Sequence, residues 1–170
     1  MSEQKVIIYT DGAASGNPGP GGYGVVMIWG KYLKKISNGY RLTTNNRMEL
    51  MAVIAALKML KRPGLHIEIY SDSNYVVKAI KEGWLKNWIR NGFKKGTKQI
   101  KNKDLWTEYA SLAIAHKINF NWVKGHAENE MNNLCDELAT SAARGPSLPP
   151  DIGYESISKD AGGLFEEDEA

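Results

Sequence analysis

Two short apolar runs far apart in the chain, KVIIYT at residues 5–10 and LHIEIYS at residues 65–71, each lead straight into an aspartate, Asp11 and Asp72. Runs this short, rich in β-branched and aromatic residues, read as strands. If the two strands lie parallel and adjacent, both carboxylates meet at one edge of a sheet. That is the edge at which open α/β sheets place their ligands. YGVVMIWG (23–30) and YLKKISNGYRL (32–42) follow the first run closely and predict an antiparallel meander with it. KINFNWVK (117–124) alternates and adds a fifth strand. From Arg47 onward, Met48, Met51, Ala52, Ala55, Ala56 and Met59 recur at helical spacing until Pro63-Gly64. SNYVVKAIKEGWL (73–85) predicts one serine-capped helix, and LWTEYASLAIA (105–115) and LCDELATSAAR (134–144) two more. The order predicts an α/β fold: a five-stranded mixed sheet, three strands antiparallel and the rest parallel, flanked by helices.

A chain of 170 residues, 42% apolar and 24% charged, suits one globular domain. No run approaches the roughly 18 apolar residues of a membrane span, and the N-terminal segment has no secretory signal pattern. The expectation is a cytoplasmic protein with no membrane partner and no obligatory protein partner, a monomer. The single cysteine, Cys135, can form no internal disulfide and fits a reducing compartment. Charge is uneven. Residues 81–103 hold eight bases against Glu82 alone, whereas 151–170 hold seven acids against Lys159. A dense basic segment points to a polyanionic partner or to a solvated face. Residues 146–170 are Pro-, Gly- and acid-rich and read as a flexible or loosely docked tail.

Between the first two strands lies DGAASGNPGPGGYG (11–24). It fits G-x-G-x-x-G at residues 19–24, but a strand follows where a dinucleotide site needs a helix, so the match is accidental. The glycines read as a turn that lets a ligand backbone come close, with Asn17 in reach of it. Two further acids enter the argument. Glu49 sits in an apolar helical stretch, where a carboxylate is costly unless a cation neutralises it. Asp136 sits in the last helix. Each acid alone has a plain structural role as a cap, a turn former or a helix-dipole partner. Together at one edge they would repel, and a hard divalent cation is the usual remedy. A basic patch beside such a cluster suggests a phosphodiester substrate. His126, in the polar stretch VKGHAENE, could carry a proton near neutral pH; His66 and His116 read as structural.

Four segments, TDGAASGNPGPGGYG, TTNNRMELMA, YSDSNYV and WVKGHAENEMNNLCDELA, resemble the signature segments of bacterial-type ribonuclease H. WLKNWIRNGFKK and the lysines after it resemble that family's basic handle, here about residues 81–103. The resemblance covers about residues 5–145, so it implies a ribonuclease H catalytic domain over 1–145 and a tail over 146–170. It implies endonucleolytic cleavage of the RNA strand of RNA–DNA hybrids with Mg²⁺ or Mn²⁺, two ions per site with substrate bound, leaving 5′-phosphate and 3′-hydroxyl ends.

Carried over by motif, Asp11, Glu49, Asp72 and Asp136 would be the metal ligands, with Asp11 bridging both ions. Asp136 would complete the water-activating site, and Glu49 and Asp72 the site that steadies the leaving oxygen. His126 would relay a proton or aid product release. Asn17, Asn46, Ser73 and Asn74 would line the RNA side, where a 2′-hydroxyl can be told from its absence. Thr44 and Asn45 resemble a pocket for a phosphate of the DNA strand. Lys94, Lys95 and Lys98 would meet nucleic acid, and Trp84 either the DNA sugars or the packed base of the handle. Asn74 stands where some relatives have glutamine, and Phe93 where tryptophan is common. The acidic tail has no counterpart; competition with nucleic acid for the handle is one role open to it. Two other readings are a silent nucleic-acid-binding module, which would have lost a carboxylate, and a DNA-cutting nuclease of the same architecture, which would lack TTNNRMEL and the handle.

Overall fold

The computed structural model describes residues 5–95, 98–124 and 129–160. Alternation in the first run becomes the central strand, β1 (Val6–Ala14), with Val6, Ile8 and Thr10 fully inside. β2 (Gly19–Trp29) and β3 (Tyr32–Thr43) extend it antiparallel, and β4 (His66–Ser71) lies parallel on its other side. The late strand, called β7 in chain order (Lys117–Trp122), pairs parallel with β4 and closes a five-stranded sheet in the order β3-β2-β1-β4-β7. The expected mixed sheet is the observed one.

Helices cover both faces. α1 (Asn45–Lys58) packs on β1 and β2, and α5 (Glu130–Ala143) on β1, β2 and β3. Between them, α2 (Asn74–Lys81), α3 (Trp84–Arg90), a two-residue-per-strand hairpin β5 (Lys94–Lys95) and β6 (Lys98–Gln99), and α4 (Lys103–Ala113) form one flank. A chain of rings holds that flank: Trp84–Trp88, Trp88–Trp106, Tyr75–Trp106, Trp106–Tyr109 and Tyr109–Phe120 all lie with centroids between 5.7 and 6.3 Å. Trp106 is wholly buried and its indole N–H donates to the Tyr75 hydroxyl at 2.8 Å, which supplies the partner a buried indole needs.

Several sequence expectations are corrected. β1 does not stop at Asp11; it runs to Ala14, with Asp11 opposite Gly24. The glycine-rich stretch is mostly strand, because β2 already begins at Gly19. Its glycines seat a helix as well as a turn: a Cβ on Gly24 would collide with the Cys135 carbonyl of α5. The single helix expected over 73–85 is two, broken at Gly83, whose φ of 79° lies in the left-handed region. α5 starts at Glu130, ahead of the expected 134, capped by the Asn129 side chain on the Asn132 N–H at 3.0 Å.

The largest correction concerns the tail. After Gly145 the chain wraps over the β3 edge, and the Arg41 N–H donates to the Pro149 carbonyl at 2.9 Å. It then forms α6 (Ile152–Asp160), with Asp151 and Tyr154 buried. Composition suggested loose docking, but Arg47 supplies the anchor. Its guanidinium binds both oxygens of Asp151 (2.8 and 3.0 Å) and both of Asp104 (2.9 and 2.7 Å). Burial alone would lower the Arg47 pKa, but the hydrogen bonds and charges of Asp104 and Asp151 raise it above its ordinary value.

Candidate active site

Parallel pairing of β1 with β4 ends at Thr10 beside Ser71, so the next residues, Asp11, still paired to β2, and Asp72, come side by side at that end of the sheet. Gly12 brings α1 against this point. A Cβ there would strike the backbone of Met48 and Glu49, so only glycine lets the helix approach so closely. The approach delivers Glu49: one carboxylate oxygen from each of Asp11, Glu49 and Asp72 lies within 4.8 Å of the others. Asp136, from α5, lines the same cleft of about 380 Å³, together with Asn45, Asn46, Ser73 and Asn74. Among the described residues no lysine, arginine or histidine lines it.

The electrostatics follow from burial. Asp11 is 6% and Glu49 8% exposed. The Asp11 carboxyl is pushed up to about 7, first by burial and then by the charges of Asp72 and Asp136; hydrogen bonds with Glu49 and the Gly12 N–H oppose this. Burial, with the charges of Asp11 and Asp72, also holds Glu49 well above the ordinary carboxylate range. Glu49 Oε1 is buried with no hydrogen-bond partner, an arrangement that costs free energy unless a cation is bound. Three clustered oxygen donors, one orphaned and none matched by a base, fit a hard divalent ion.

The other candidate residues are placed as follows. Asn17 Oδ1 accepts the Asn45 N–H at 3.0 Å, and Asn45 Oδ1 accepts the Ala14 N–H at 2.7 Å, so these two tie the β1–β2 turn to the start of α1. Thr44 is buried and its hydroxyl caps α1 on the Arg47 N–H at 3.2 Å. Ser73 caps α2 on the Val76 N–H at 3.1 Å. Asn46 is buried at the cleft and Asn74 exposed beside it. Trp84 is half-buried against Trp88. Lys94 is exposed, and Lys95 and Lys98 belong to the β5–β6 hairpin. His126 lies outside the described residues.

Two neighbours of the site escaped sequence reasoning. Trp122, half exposed, donates its indole N–H to the Asp72 carbonyl at 3.2 Å. Cys135 donates its thiol to the Tyr9 carbonyl at 3.2 Å, and burial pushes that thiol up to about 12, so it is inert at neutral pH. Both contacts join residues far apart in the chain, and no local pattern marks them.

The RNase H family model matches residues 3–144. The chain belongs to the RNase H family. Membership makes it a hydrolytic nuclease. The Ribonuclease H of Trichodesmium erythraeum is 47% identical over 158 residues, 91% of this chain and 100% of that protein. The Ribonuclease H of Chlorobium phaeovibrioides is 53% identical over 143 residues, 84% and 97% of the two chains. Among solved structures, LC9-RNase H1, described as a type 1 RNase H with the type 2 active-site motif, superposes with a TM-score of 0.75 at 27% identity, covering 99% of this chain and 89% of its own. LC11-RNase H1 in complex with an RNA/DNA hybrid gives 0.59 at 28% identity over 82% of this chain and 96% of its own.

Proposed function

We propose that the chain hydrolyses the RNA strand of RNA–DNA hybrids at the carboxylate cleft, leaving 5′-phosphate and 3′-hydroxyl ends. The observation that carries this is the uncompensated group Asp11, Glu49 and Asp72, the first two buried, with Asp136 lining the same cleft. Two divalent ions, Mg²⁺ or Mn²⁺, held by Asp11, Glu49, Asp72 and Asp136 would supply Lewis acidity, an activated water and charge neutralisation at the leaving oxygen.

The chain's own groups do the rest. Gly12 and the Thr44 cap hold Glu49 against Asp11, so the donors are arranged before substrate arrives. Asn46, Ser73 and Asn74 line the cleft next to the acids and meet the ribose, whose 2′-hydroxyl both donates and accepts. Thr44 and Asn45 would meet a phosphate of the DNA strand at the N-terminus of α1, a favourable place for an anion, and Asn17, bonded to Asn45, stands on the RNA side. Lys94, Lys95 and Lys98 on the basic flank hold the duplex through phosphates, with Trp84 at the foot of that flank. His126 relays a proton; His126→Ala should slow turnover severalfold without abolishing it, and unchanged turnover would remove it from the mechanism.

The deciding experiment incubates the protein with end-labelled RNA–DNA hybrid, double-stranded RNA and duplex DNA, with Mg²⁺, with Mn²⁺ and with chelator. Cleavage confined to the RNA of the hybrid, lost with chelator, is expected. Equal cleavage of duplex DNA would overturn the substrate assignment, and cleavage in chelator would overturn the role of the ions.

A further inference from the structure

At the end of the sheet opposite the carboxylates lies a groove of about 590 Å³, between the β2–β3 hairpin and the C-terminal end of α1. Its outer wall leaves Trp29, Tyr32 and Leu33 exposed by 41%, 76% and 50%. The charged residues that line it are all basic: Lys34, Lys61 and Arg62. The Arg62 guanidinium sits over the Trp29 ring at 5.4 Å. Apolar side chains grouped in water mark a docking surface, and a rim of one sign selects an occupant of the other.

The chain carries such an occupant. Residues 161–170 read AGGLFEEDEA, with Leu164 and Phe165 followed by Glu166, Glu167, Asp168 and Glu169. α6 is held to β3, the strand that forms the outer wall of the groove: Asp151 accepts from Thr43 and Glu155 from Arg41. From Arg41 to Leu33 is about 26 Å at about 3.3 Å per strand residue. The last turns of α6, from Glu155 to Asp160, advance about 7.5 Å. Five extended residues beyond Asp160 add about 17 Å, so a segment run out along β3 is long enough for the side chain of Phe165 to meet the rim.

We propose that Leu164 and Phe165 occupy this groove in the same molecule, with the acids after them against Lys34, Lys61 and Arg62. The acidic segment then serves as an intramolecular cover for the apolar end of the sheet. It stands apart from the handle and from the cleavage cleft.

The test uses the full chain labelled with 5-fluorotryptophan, with the Trp29 resonance assigned through Trp29→Phe. Leu164→Ser combined with Phe165→Ser should shift the Trp29 signal and leave the buried Trp106 signal in place. Salt that shortens the Debye length to about 3 Å should move the wild-type Trp29 signal toward that of the variant, independently of protein concentration. Limited chymotrypsin cleavage after Leu164 and Phe165 should run about tenfold faster in Leu33→Glu than in wild type, since cleavage follows the open fraction. A Trp29 signal indifferent to the double substitution, or equal cleavage in wild type and Leu33→Glu, would overturn the proposal. So would a shift that depends on concentration, which would seat the segment on a second copy. A rise in hybrid affinity on removing 161–170 with Trp29 unmoved would place it on the handle instead.

Discussion

Asp11 shows how much of this protein turns on single side chains. Its carboxyl, buried with that of Glu49, lies beside the partly buried Asp72, and burial, with the charges of Asp72 and Asp136, raises it to about 7. Between about pH 4 and pH 7 the unfolded chain has lost this proton and the folded chain retains it. The number of protons bound is therefore greater in the folded state, and stability falls as pH rises through that window. Glu49, raised in the same direction, steepens the fall. Calorimetry of the metal-free protein should show Tm rising on acidification from pH 7 to about pH 5, so far as these two groups govern it, and saturating Mg²⁺ should flatten the trend. Asp11→Asn removes the charge and keeps the shape. It should raise the metal-free Tm while lowering single-turnover cleavage of hybrid by about 10³-fold or more, as the proposed role of Asp11 as a ligand of the ions requires. Hybrid binding measured in chelator should be unchanged; weakened binding by a folded variant would give Asp11 a role beyond holding ions.

At the scale of elements, the placement of α1 decides the site. Three contacts hold its first turn: Gly12 against its backbone, Thr44 as its cap, and Arg47 clamped between Asp104 of α4 and Asp151 ahead of α6. The Arg47 and Asp151 side chains are only 2% and 1% exposed. Stranding a buried charge costs about 3–5 kcal/mol; Arg47 keeps Asp104 when Asp151 is lost, so the cost falls below that range. Asp151→Ala should lower the urea midpoint, and Asp151→Asn, which keeps hydrogen bonding, should lower it by less. The acidic residues after Gly145 thus begin as structure. Their composition hid this, because the residue that anchors them lies over a hundred positions earlier in the sequence.

Over the whole molecule, charge is divided by position. The carboxylate cleft carries the acids, and the flank built from α3 and the β5–β6 hairpin carries exposed bases such as Lys94. Under the proposed function, the separation would let a polyanion dock on the flank while cations held by the acids take its scissile phosphate. Replacing Lys94, Lys95 and Lys98 by glutamine should weaken hybrid binding and reduce the slope of log affinity against log salt by about 2–3, since each phosphate contact contributes about 0.9 for B-form duplexes and less for single strands. Cleavage of bound hybrid in a single turnover should be nearly unchanged. A salt slope equal to that of wild type would take the flank out of the interface.

The sequence by itself determined the five strands of the main sheet, the helices α1, α4 and α5 in outline and the four acids, because period-two and period-3.6 patterns and the acid-bearing segments are local signals. It could place Asp11 and Asp72 at one edge, since two similar strands ending in aspartate need only lie parallel to bring them together. Tertiary structure alone decided the rest. That Gly12 and Gly24 serve as contact points for α1 and α5, that Trp122 steadies the Asp72 backbone, and that Asp151 belongs to the core all depend on partners remote in the chain. The physical reason is the same in each case: a close approach or a buried charge is settled by what packs against it, and a linear pattern records only what lies a few residues away.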